Sequence, residues 1–148
     1  MSESAFRWTD RSAYWVSERA YLLFTEGRYR ESLALLEGLM ELFPQSVYYK
    51  DSASALHLAL GNPREAIRYA TDVITVEPDN ISALVRRCEG YLLLGVIAEA
   101  VHDLERMKVL RAHAPMRRME MRLSHVRGGM ASSSVDMKGV FDQTTIDH

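Results

Sequence analysis

The chain has 148 residues, of which 47% are apolar and 26% charged, and its formal net charge is −2. This composition predicts one folded domain and excludes a disordered chain, while a single cysteine, Cys88, excludes a disulfide framework and a cysteine-based zinc site. Because no apolar run reaches the roughly 18 residues of a membrane-spanning helix, and the first residues lack the basic-then-apolar order of a secretion signal, we expect a cytoplasmic protein.

The predicted elements in chain order are an N-terminal segment, six paired helices, a capping helix and a tail. Residues 1–12 form the segment, and three units of 34 residues follow at 13–46, 47–80 and 81–114. The first helices of the units are predicted at 13–26, 47–60 and 81–94, and the second helices at 29–43, 63–76 and 97–111. Apolar residues recur at spacings of three and four along the second helices, as in Leu33, Leu36 and Leu39, which predicts an all-α fold.

The three units share columns of similar residues at a spacing of 34, and such a period is typical of repeat architectures. Each unit has a glycine between its two helices and a glutamate four residues later. These columns are Gly27, Gly61 and Gly95, and Glu31, Glu65 and Glu99. Glycine suits a helix that ends with a left-handed residue, because it has no Cβ to strain that conformation. Pro44 and Pro78 end the first two units, whereas the third has Ala112 at the equivalent position.

The chain after the third unit is predicted to cover the open end of the array, since stacked repeats leave their last face uncovered. Residues 115–128 are predicted to form a capping helix with an apolar stripe of Met116, Met119, Leu123 and Val126. Gly128 and Gly129 are predicted to end this helix. Residues 129–148 have little periodicity and many Ser, Thr and Asp, so we expect a flexible tail.

Charge is distributed unevenly along the chain. Residues 1–105 hold 10 Lys or Arg against 16 Asp or Glu, whereas residues 106–127 hold seven basic residues against one glutamate. Arg117, Arg118 and Arg122 form the predicted basic face of the capping helix. Such a face can bind a polyanion or an acidic partner, and it can equally be a solvated helix surface.

The sequence contains no pattern that predicts catalysis, a metal site or a cofactor. The five histidines lack the spacing of metal ligands, and no serine elbow, phosphate loop or dinucleotide fingerprint is present. His57 shares its repeat column with Leu23 and Tyr91, which favours a buried histidine over a ligand. Cys88 shares its column with small residues, so we interpret it as a packing residue and not as a nucleophile. We therefore expect a non-enzymatic protein.

The repeat columns resemble those of the tetratricopeptide repeat (TPR) family over residues 13–114. The matching residues are Gly27-Arg28-Tyr29, Glu31, Leu36, Leu39 and Pro44, then Gly61, Ala66, Val73 and Pro78, then Tyr91, Gly95, Glu99-Ala100 and Met107. In place of the tryptophan that is usual early in the family's repeat, the chain has Val16, Lys50 and Leu84. The resemblance implies a right-handed superhelix of three helix-turn-helix units, with a concave groove lined by the first helix of each unit.

The groove that the resemblance implies would hold an extended or helical peptide. Its predicted lining is rich in aromatic and apolar residues, which offer broad contact area at low entropic cost. The predicted groove residues are Tyr14, Ser17, Tyr21 and Phe24, then Tyr48, Asp51, Ala55 and Leu58, then Ser82, Val85, Glu89 and Leu92. An alternative left open is that Tyr21 and Phe24 contact a neighbouring helix or the N-terminal segment.

The groove composition separates two kinds of TPR protein. Co-chaperones that hold the acidic tails of heat-shock chaperones use a clamp of lysine, asparagine and arginine. The corresponding positions here are Ser17, Tyr21, Ser52, Ser82 and Arg86, of which only Arg86 matches. The chain is instead similar to the small chaperones of type III secretion, and the stretch AYLLFTEGRYR at 20–30 is typical of them. That resemblance implies a partner with an apolar segment, such as a translocator or needle subunit.

Two alternatives to the secretion chaperone remain open. A generic assembly adaptor would bind its partner through the convex face or the tail, and a co-chaperone stays open beside it. A polyanion-binding module would use the basic residues of 106–127, although we do not expect a nucleic-acid partner or a membrane span. A homodimer or heterodimer also stays open, because Phe6, Trp8 and Trp15 can dock on the first unit or on a second subunit.

Overall fold

In the computed structural model, the backbone is described for residues 10–143 and the side chains for residues 11–129. This part of the chain contains seven α-helices and no strand, which confirms the predicted all-α fold. The helices are α1 (Asp10–Thr25), α2 (Tyr29–Leu42), α3 (Val47–Ala59), α4 (Pro63–Val76), α5 (Ile81–Leu94), α6 (Ile97–Val109) and α7 (His113–Gln143). None of the helices found in this range is long and apolar enough to cross a membrane.

The helices stack in chain order as a helical solenoid. Each helix from α1 to α6 packs on the next one, and α7 covers both α5 and α6. The first core cluster joins α1, α2 and α3 through Ala20, Leu39 and Leu56, among others. The second joins α5, α6 and α7, and its members include Met107 and Met119. Helix α7 therefore lies where we expected the residues after 114 to cover the third unit.

Small residues allow the two helices of each unit to approach closely. In the first unit, Ser32 Oγ on α2 donates a hydrogen bond to the Ala20 carbonyl on α1, at 2.6 Å. In the second unit the donor lies on the first helix instead, where Ser54 Oγ of α3 donates to the Ala66 carbonyl of α4, at 2.8 Å. In the third unit, Cys88 Sγ occupies the place of Ser54 and lies 3.5 Å from the Ala100 carbonyl. Each unit therefore has close packing and one side-chain donor between its helices, a serine hydroxyl in the first two units and the weaker Cys88 thiol in the third.

The three column glycines have left-handed backbones, with φ between 72° and 77°. At Gly27 the turn has two backbone bonds, from Gly27 N to the Phe24 carbonyl and from Arg28 N to the Leu23 carbonyl. These bonds form a Schellman motif, which satisfies carbonyls that would otherwise be unpaired at the helix end. Ser46 and Asn80 cap the following helices by accepting from backbone N–H groups.

Helix α6 ends with the same turn, but with an arginine in place of the glycine. Arg111 has φ 58°, its N–H donates to the Lys108 carbonyl, and Ala112 N–H donates to the Met107 carbonyl. A left-handed conformation costs an L-residue roughly 1–2 kcal/mol. The strained turn occurs in the third unit, which has Ala112 where the first two units have a proline.

The third unit also contains an ion pair that the sequence patterns did not indicate. Arg87 on α5 donates to both carboxylate oxygens of Asp103 on α6, at 2.9 and 2.7 Å. Asp103 is fully buried and Arg87 is largely buried. The bond to Asp103 is the main reason why the pKa of Arg87 is raised.

The predicted ends of the array differ from those in the structure. Helix α1 begins at Asp10, before the predicted start at residue 13, and Phe6 and Trp8 lie outside the described residues. The prediction that Gly128 and Gly129 end the last helix is wrong, because α7 continues through them to Gln143. Each glycine costs a helix only about 1 kcal/mol relative to alanine, so two of them do not force an end. Of the predicted tail at 129–148, residues 144–148 lie outside the described residues.

Candidate functional site

A pocket of about 250 Å³ opens between α1 and α3 on the face predicted to be the groove. Six of the predicted groove residues line it together, namely Ser17, Tyr21, Phe24, Tyr48, Asp51 and Ala55. The pocket exists because α1 and α3 barely touch, while both pack on α2. Small residues at the facing positions, such as Ala20 and Ser52, leave the space between the two helices unfilled.

The aromatic side chains at this pocket are largely open to solvent. Tyr21 is 59% exposed and Tyr48 is 63% exposed. The Phe24 ring lies 5.5 Å from the Tyr29 ring of α2, so Phe24 has a neighbour within the first unit and is less exposed. Phe24 therefore contacts a neighbouring helix, as the sequence analysis left open, and also lines the pocket. Tyr21 lines the pocket with its ring exposed.

A second, wider pocket of about 430 Å³ adjoins the first at the start of α1 and α3. It shares Ser17 and Tyr48 with the first pocket, and Tyr14 lies in its wall. The Tyr14 ring meets the Trp15 ring edge-on at 6.0 Å, and the Tyr48 ring meets Tyr49 in the same way at 5.8 Å. Together the two pockets form one aromatic surface, which we call the α1–α3 groove.

Two polar side chains at the α1–α3 groove have buried atoms without a partner in the described part of the chain. Ser82 Oγ donates to Asp51 Oδ2 at 2.7 Å, but Asp51 Oδ1 has no hydrogen-bond partner. Arg86 Nε is likewise buried and without a partner. Because a buried unsatisfied polar atom costs roughly 1–3 kcal/mol, a ligand that supplies one donor and one acceptor here would remove that cost.

The remaining predicted groove residues do not join this pocket. Leu92 is only 5% exposed and packs in the core cluster of α5, α6 and α7, and Val85 packs against the same cluster. Glu89 forms an ion pair with Arg122 of α7. Leu58 is half-buried and lines none of the pockets found among the described residues. Glu89 and Leu92 line a separate pocket of about 470 Å³ together with residues of α7. At the third unit the predicted groove residues therefore face α7 and do not continue the pocket between α1 and α3.

The basic residues of 106–127, which include the predicted basic face, are partly neutralised. Arg122 is paired with Glu89, and Arg106 is paired with Asp79. Arg117 and Arg118 are exposed and form no ion pair within residues 11–129. The pairing of two of the cations weakens the positive field that a polyanion site needs.

The side chains with reactive potential are placed in the core. Burial raises the pKa of the Cys88 thiol to about 12, so the thiolate that a nucleophile requires is absent near neutral pH. His57 stacks on the Tyr69 ring at 5.6 Å, and its Nδ1 is buried without a partner among the described residues. Burial lowers the pKa of His57. No group of three His, Cys, Asp or Glu side chains that could hold a metal ion occurs in that same part of the chain.

Ser52 and Arg86 line the α1–α3 groove, although the sequence had indicated them only as clamp positions and not as groove residues. The signal for Arg86 was available, because it follows Ser82 by four residues and so shares its helix face. The α2 residues Ser32 and Leu36, which form the floor of the pocket, gave no such signal. Their columns are those of ordinary packing residues.

No family model matches the chain. Among curated proteins, it is 35% identical over 92 residues to DnaJ homolog subfamily C member 3 of Bos taurus, which covers 60% of this chain. The chain spans 18% of the length of that protein. Its similarity therefore concerns one part of a much longer polypeptide.

Solved structures share the fold. The TPR domain of P58(IPK) has a TM-score of 0.70 and 26% identity, and the match covers 81% of this chain and 35% of that one. PcrH from Pseudomonas aeruginosa has a TM-score of 0.73 and 14% identity, with coverage of 86% and 99%. The second TPR domain of human RPAP3, solved in complex with the HSP70 peptide SGPTIEEVD, has a TM-score of 0.68 and 20% identity, with coverage of 78% and 94%. These likenesses show that the chain has the tetratricopeptide-repeat fold.

Proposed function

We propose that this chain, a protein with the tetratricopeptide-repeat fold, is a non-enzymatic module that holds an apolar segment of a protein partner in its α1–α3 groove. The observation that carries the proposal is the exposure of Tyr21 and Tyr48 on either side of an open pocket. Exposed aromatic rings beside a preformed pocket are typical of the anchor points of protein interfaces.

The size of the pocket favours a peptide side chain as its occupant. The first pocket has a volume of about 250 Å³ and the adjoining pocket about 430 Å³. Two open pockets in succession suit side chains along a peptide better than one compact molecule in an enclosed site. An apolar anchor residue would fill the pocket, and the flanking chain would contact the tyrosines. Each square ångström of apolar surface buried in this way contributes about 25 cal/mol before the entropic cost of binding.

The polar atoms of the groove indicate how the peptide backbone would be held. Asp51 Oδ1 can accept from a peptide N–H, and Arg86 Nε can donate to a peptide carbonyl. An extended segment offers both groups within a few residues. A C-terminal carboxylate would pair with Arg86 but would face the negative charge of Asp51. We therefore propose an internal segment and not a free C-terminus.

We further propose that the chain is a chaperone that shields a segment of a secreted partner in the cytoplasm before export. A chaperone of this kind must cover apolar residues that would otherwise aggregate, and the aromatic groove suits that task. This assignment depends on the resemblance of the repeats and of the aromatic first helix to the small type III secretion chaperones. The chain's similarity to solved structures concerns the fold alone.

A co-chaperone that binds acidic tails is the second candidate, and Arg86 is the observation in its favour. Its buried Nε has no partner in the described residues, and a carboxylate is the acceptor that arginine binds most strongly. The RPAP3 domain of the same fold was solved with an acidic HSP70 peptide. In this chain, however, the other clamp positions hold Ser17, Tyr21, Ser52 and Ser82, which leaves Arg86 alone.

The proposal is tested with peptides selected from a random library by their binding to the full chain. The strongest apolar binder is labelled and titrated by fluorescence anisotropy against the wild type and the double variant Tyr21→Ala/Phe24→Ala. We expect the double variant to bind roughly tenfold or more weakly, because it removes two anchor rings. The peptide SGPTIEEVD, titrated in parallel, should bind far more weakly than the apolar peptide.

The matched control is Val76→Ala, which truncates another exposed apolar side chain, one that lines none of the described pockets. Its affinity should equal that of the wild type, and both variants should keep the wild-type thermal melt. Equal affinity for the double variant and the wild type would contradict the groove as the binding site. Strong binding of SGPTIEEVD that is lost in Arg86→Ala would establish the co-chaperone instead.

A further inference from the structure

The wider pocket of the α1–α3 groove lies beside the start of α1, which begins at Asp10. Its wall on the side of α1 consists of Ala13, Tyr14, Ser17 and Glu18. Its wall on the side of α2 and α3 consists of Phe43, Ser46, Tyr48 and Tyr49. With a rise of about 1.5 Å per residue, Ser17 lies only about 10 Å along the helix axis from Asp10. The chain that precedes Asp10 therefore joins the fold next to this pocket.

The residues directly before α1 include two aromatic side chains on either side of an arginine. We call residues 1–9 the N-terminal arm; they lie outside the described residues and contain Phe6, Arg7 and Trp8. In an extended arm alternate side chains point to the same side, so Phe6 and Trp8 would share one side and Arg7 would take the other. Such an arm offers two aromatic anchors to a pocket whose walls are rich in tyrosine.

The arm is long enough to bring both rings into the wider pocket of its own chain. An extended chain spans at most about 3.3–3.6 Å per residue, so Phe6, four residues before Asp10, reaches up to about 14 Å from it. That distance includes the wider pocket, whereas Phe24 lies about 21 Å along α1 from Asp10. The tether therefore selects the wider pocket and keeps both rings away from the far end of the groove.

Charge also favours this occupant. Among the described residues that line the wider pocket, Glu18 alone is charged. Its side chain is exposed and forms no ion pair within the described part of the chain. Arg7 would point outward from an arm whose rings face the pocket, so its partner must lie at the exposed rim, as Glu18 does. A carboxylate is the acceptor that arginine binds most strongly.

On the basis of the proposed function of the groove, we propose that the N-terminal arm docks in the wider pocket of its own chain and competes there with the partner. Phe6 and Trp8 contact the tyrosines of the pocket walls, and Arg7 pairs with Glu18. Tyr48 lines both pockets of the groove, so a ring packed on it occupies surface that a partner peptide needs. The arm is thus an internal ligand that regulates access to the groove.

A tethered ligand of this kind needs little affinity of its own. A short flexible tether holds it at an effective concentration in the millimolar range, so an arm with a dissociation constant of about 0.1–1 mM occupies the pocket for half of the time or more. The apparent affinity for a partner falls in proportion to the fraction of chains whose groove is free. A partner that binds more tightly displaces the arm, which covers the exposed aromatic rings until then.

The test compares the full chain with the double variant Phe6→Ala/Trp8→Ala in the anisotropy titration with the apolar peptide from the random library. Because the variant no longer covers its groove, it should bind that peptide roughly two- to tenfold more tightly. Arg7→Glu should also raise the affinity, since it faces the carboxylate of the pocket rim, whereas Arg7→Lys should not. The matched control Ser2→Ala/Ser4→Ala changes the same arm but keeps both rings, and its affinity should equal that of the wild type. Equal or weaker binding by Phe6→Ala/Trp8→Ala would overturn the proposal.

A second titration separates the docking of the arm from the proposed function of the groove. A labelled synthetic peptide of residues 1–9 is titrated against the chain with Phe6→Ala/Trp8→Ala, whose own arm lacks both rings. The peptide should bind, and adding Tyr14→Ala/Tyr48→Ala to the chain should weaken its binding roughly tenfold. No binding of this peptide would overturn the docking of the arm, whatever the apolar library peptide does. Binding of this peptide alone would support the docking and contradict the proposed function.

Sedimentation equilibrium decides whether the arm occupies its own groove or that of a second copy. Docking within one chain predicts the same mass for the wild type and for Phe6→Ala/Trp8→Ala at every concentration. A wild type that dimerises while the variant stays monomeric would place the arm on a second copy and would overturn docking within the chain. Circular dichroism melts verify that all variants fold.

Discussion

Two helical glycines should respond in opposite ways to the same substitution, because their surroundings differ. Gly90 is buried in α5, and a Cβ added there would lie 2.7 Å from Ile67 Cγ1 and 3.3 Å from the Pro63 carbonyl oxygen on α4. Gly38 lies in α2, is exposed, and has no atom within 4 Å of the added Cβ. The close approach of α4 and α5 therefore requires glycine at position 90, whereas nothing around position 38 does.

The magnitudes follow from two opposing terms. Alanine is better than glycine inside a helix by about 1 kcal/mol, and this gain applies at both positions. Overpacking a close contact costs typically about 1–3 kcal/mol, and this cost applies only at Gly90, where Ile67 must shift against a backbone carbonyl. We expect Gly38→Ala to raise the free energy of unfolding by about 0.5–1 kcal/mol. Gly90→Ala should lower it by about 1 kcal/mol.

Urea unfolding monitored by far-ultraviolet circular dichroism measures both changes, and equal slopes against urea verify that the same surface is exposed on unfolding. Gly38→Ala acts as the control for Gly90→Ala, since it carries the same gain in helix propensity without the clash. If Gly90→Ala proved as stable as Gly38→Ala, the described packing of α4 on α5 would be refuted.

Three further predictions concern stability. Arg111→Gly should raise the free energy of unfolding by about 1 kcal/mol in the same urea assay, because glycine adopts φ 58° without strain; an unchanged or lower stability would contradict the strained turn. Arg87→Met should lower it by roughly 3 kcal/mol, because it leaves the buried Asp103 carboxylate unpaired, and Arg87→Met/Asp103→Leu should recover most of the loss; a single variant as stable as the wild type would refute this. Burial lowers the pKa of His57, so the unfolded chain takes up the proton first as pH falls and stability is lost below about pH 6.5. Thermal melts between about pH 7 and 5 should therefore show a smaller loss for His57→Leu than for the wild type, and equal losses would exclude His57 as a cause.

The repeat could be predicted from sequence because its signals are local and occur three times. Glycine at the first turn of each unit has a backbone reason, which the positive φ of Gly27 confirms. The bounds of α4 and α5 were predicted without error, since Pro63 and Asn80 mark their starts. The predicted helix end at Gly128 and Gly129 was wrong, because a glycine pair weakens a helix without ending it and no left-handed backbone is required there.

One pocket brings together predicted groove residues of the first two units only, and the reason lies in tertiary packing. The face of a first helix can be derived from periodicity, so Tyr21, Tyr48 and Asp51 were placed on one surface. Whether that face stays open depends on what packs against it. Helix α7 covers α5 and takes Leu92 into the core, which no pattern within 81–94 could reveal. The Arg87–Asp103 pair was missed for a similar reason, since its partners lie on different helices.

The central claim is that an apolar peptide binds in the α1–α3 groove, and amide chemical-shift mapping tests it most directly. The isotope-labelled full chain is titrated with the apolar peptide selected from the random library. We predict that the largest shifts occur at Ser17, Tyr21, Tyr48 and Asp51, with small shifts on the outer face of α7 around Arg117 and Arg118. Shifts confined to α7 or to the convex second helices would contradict the account.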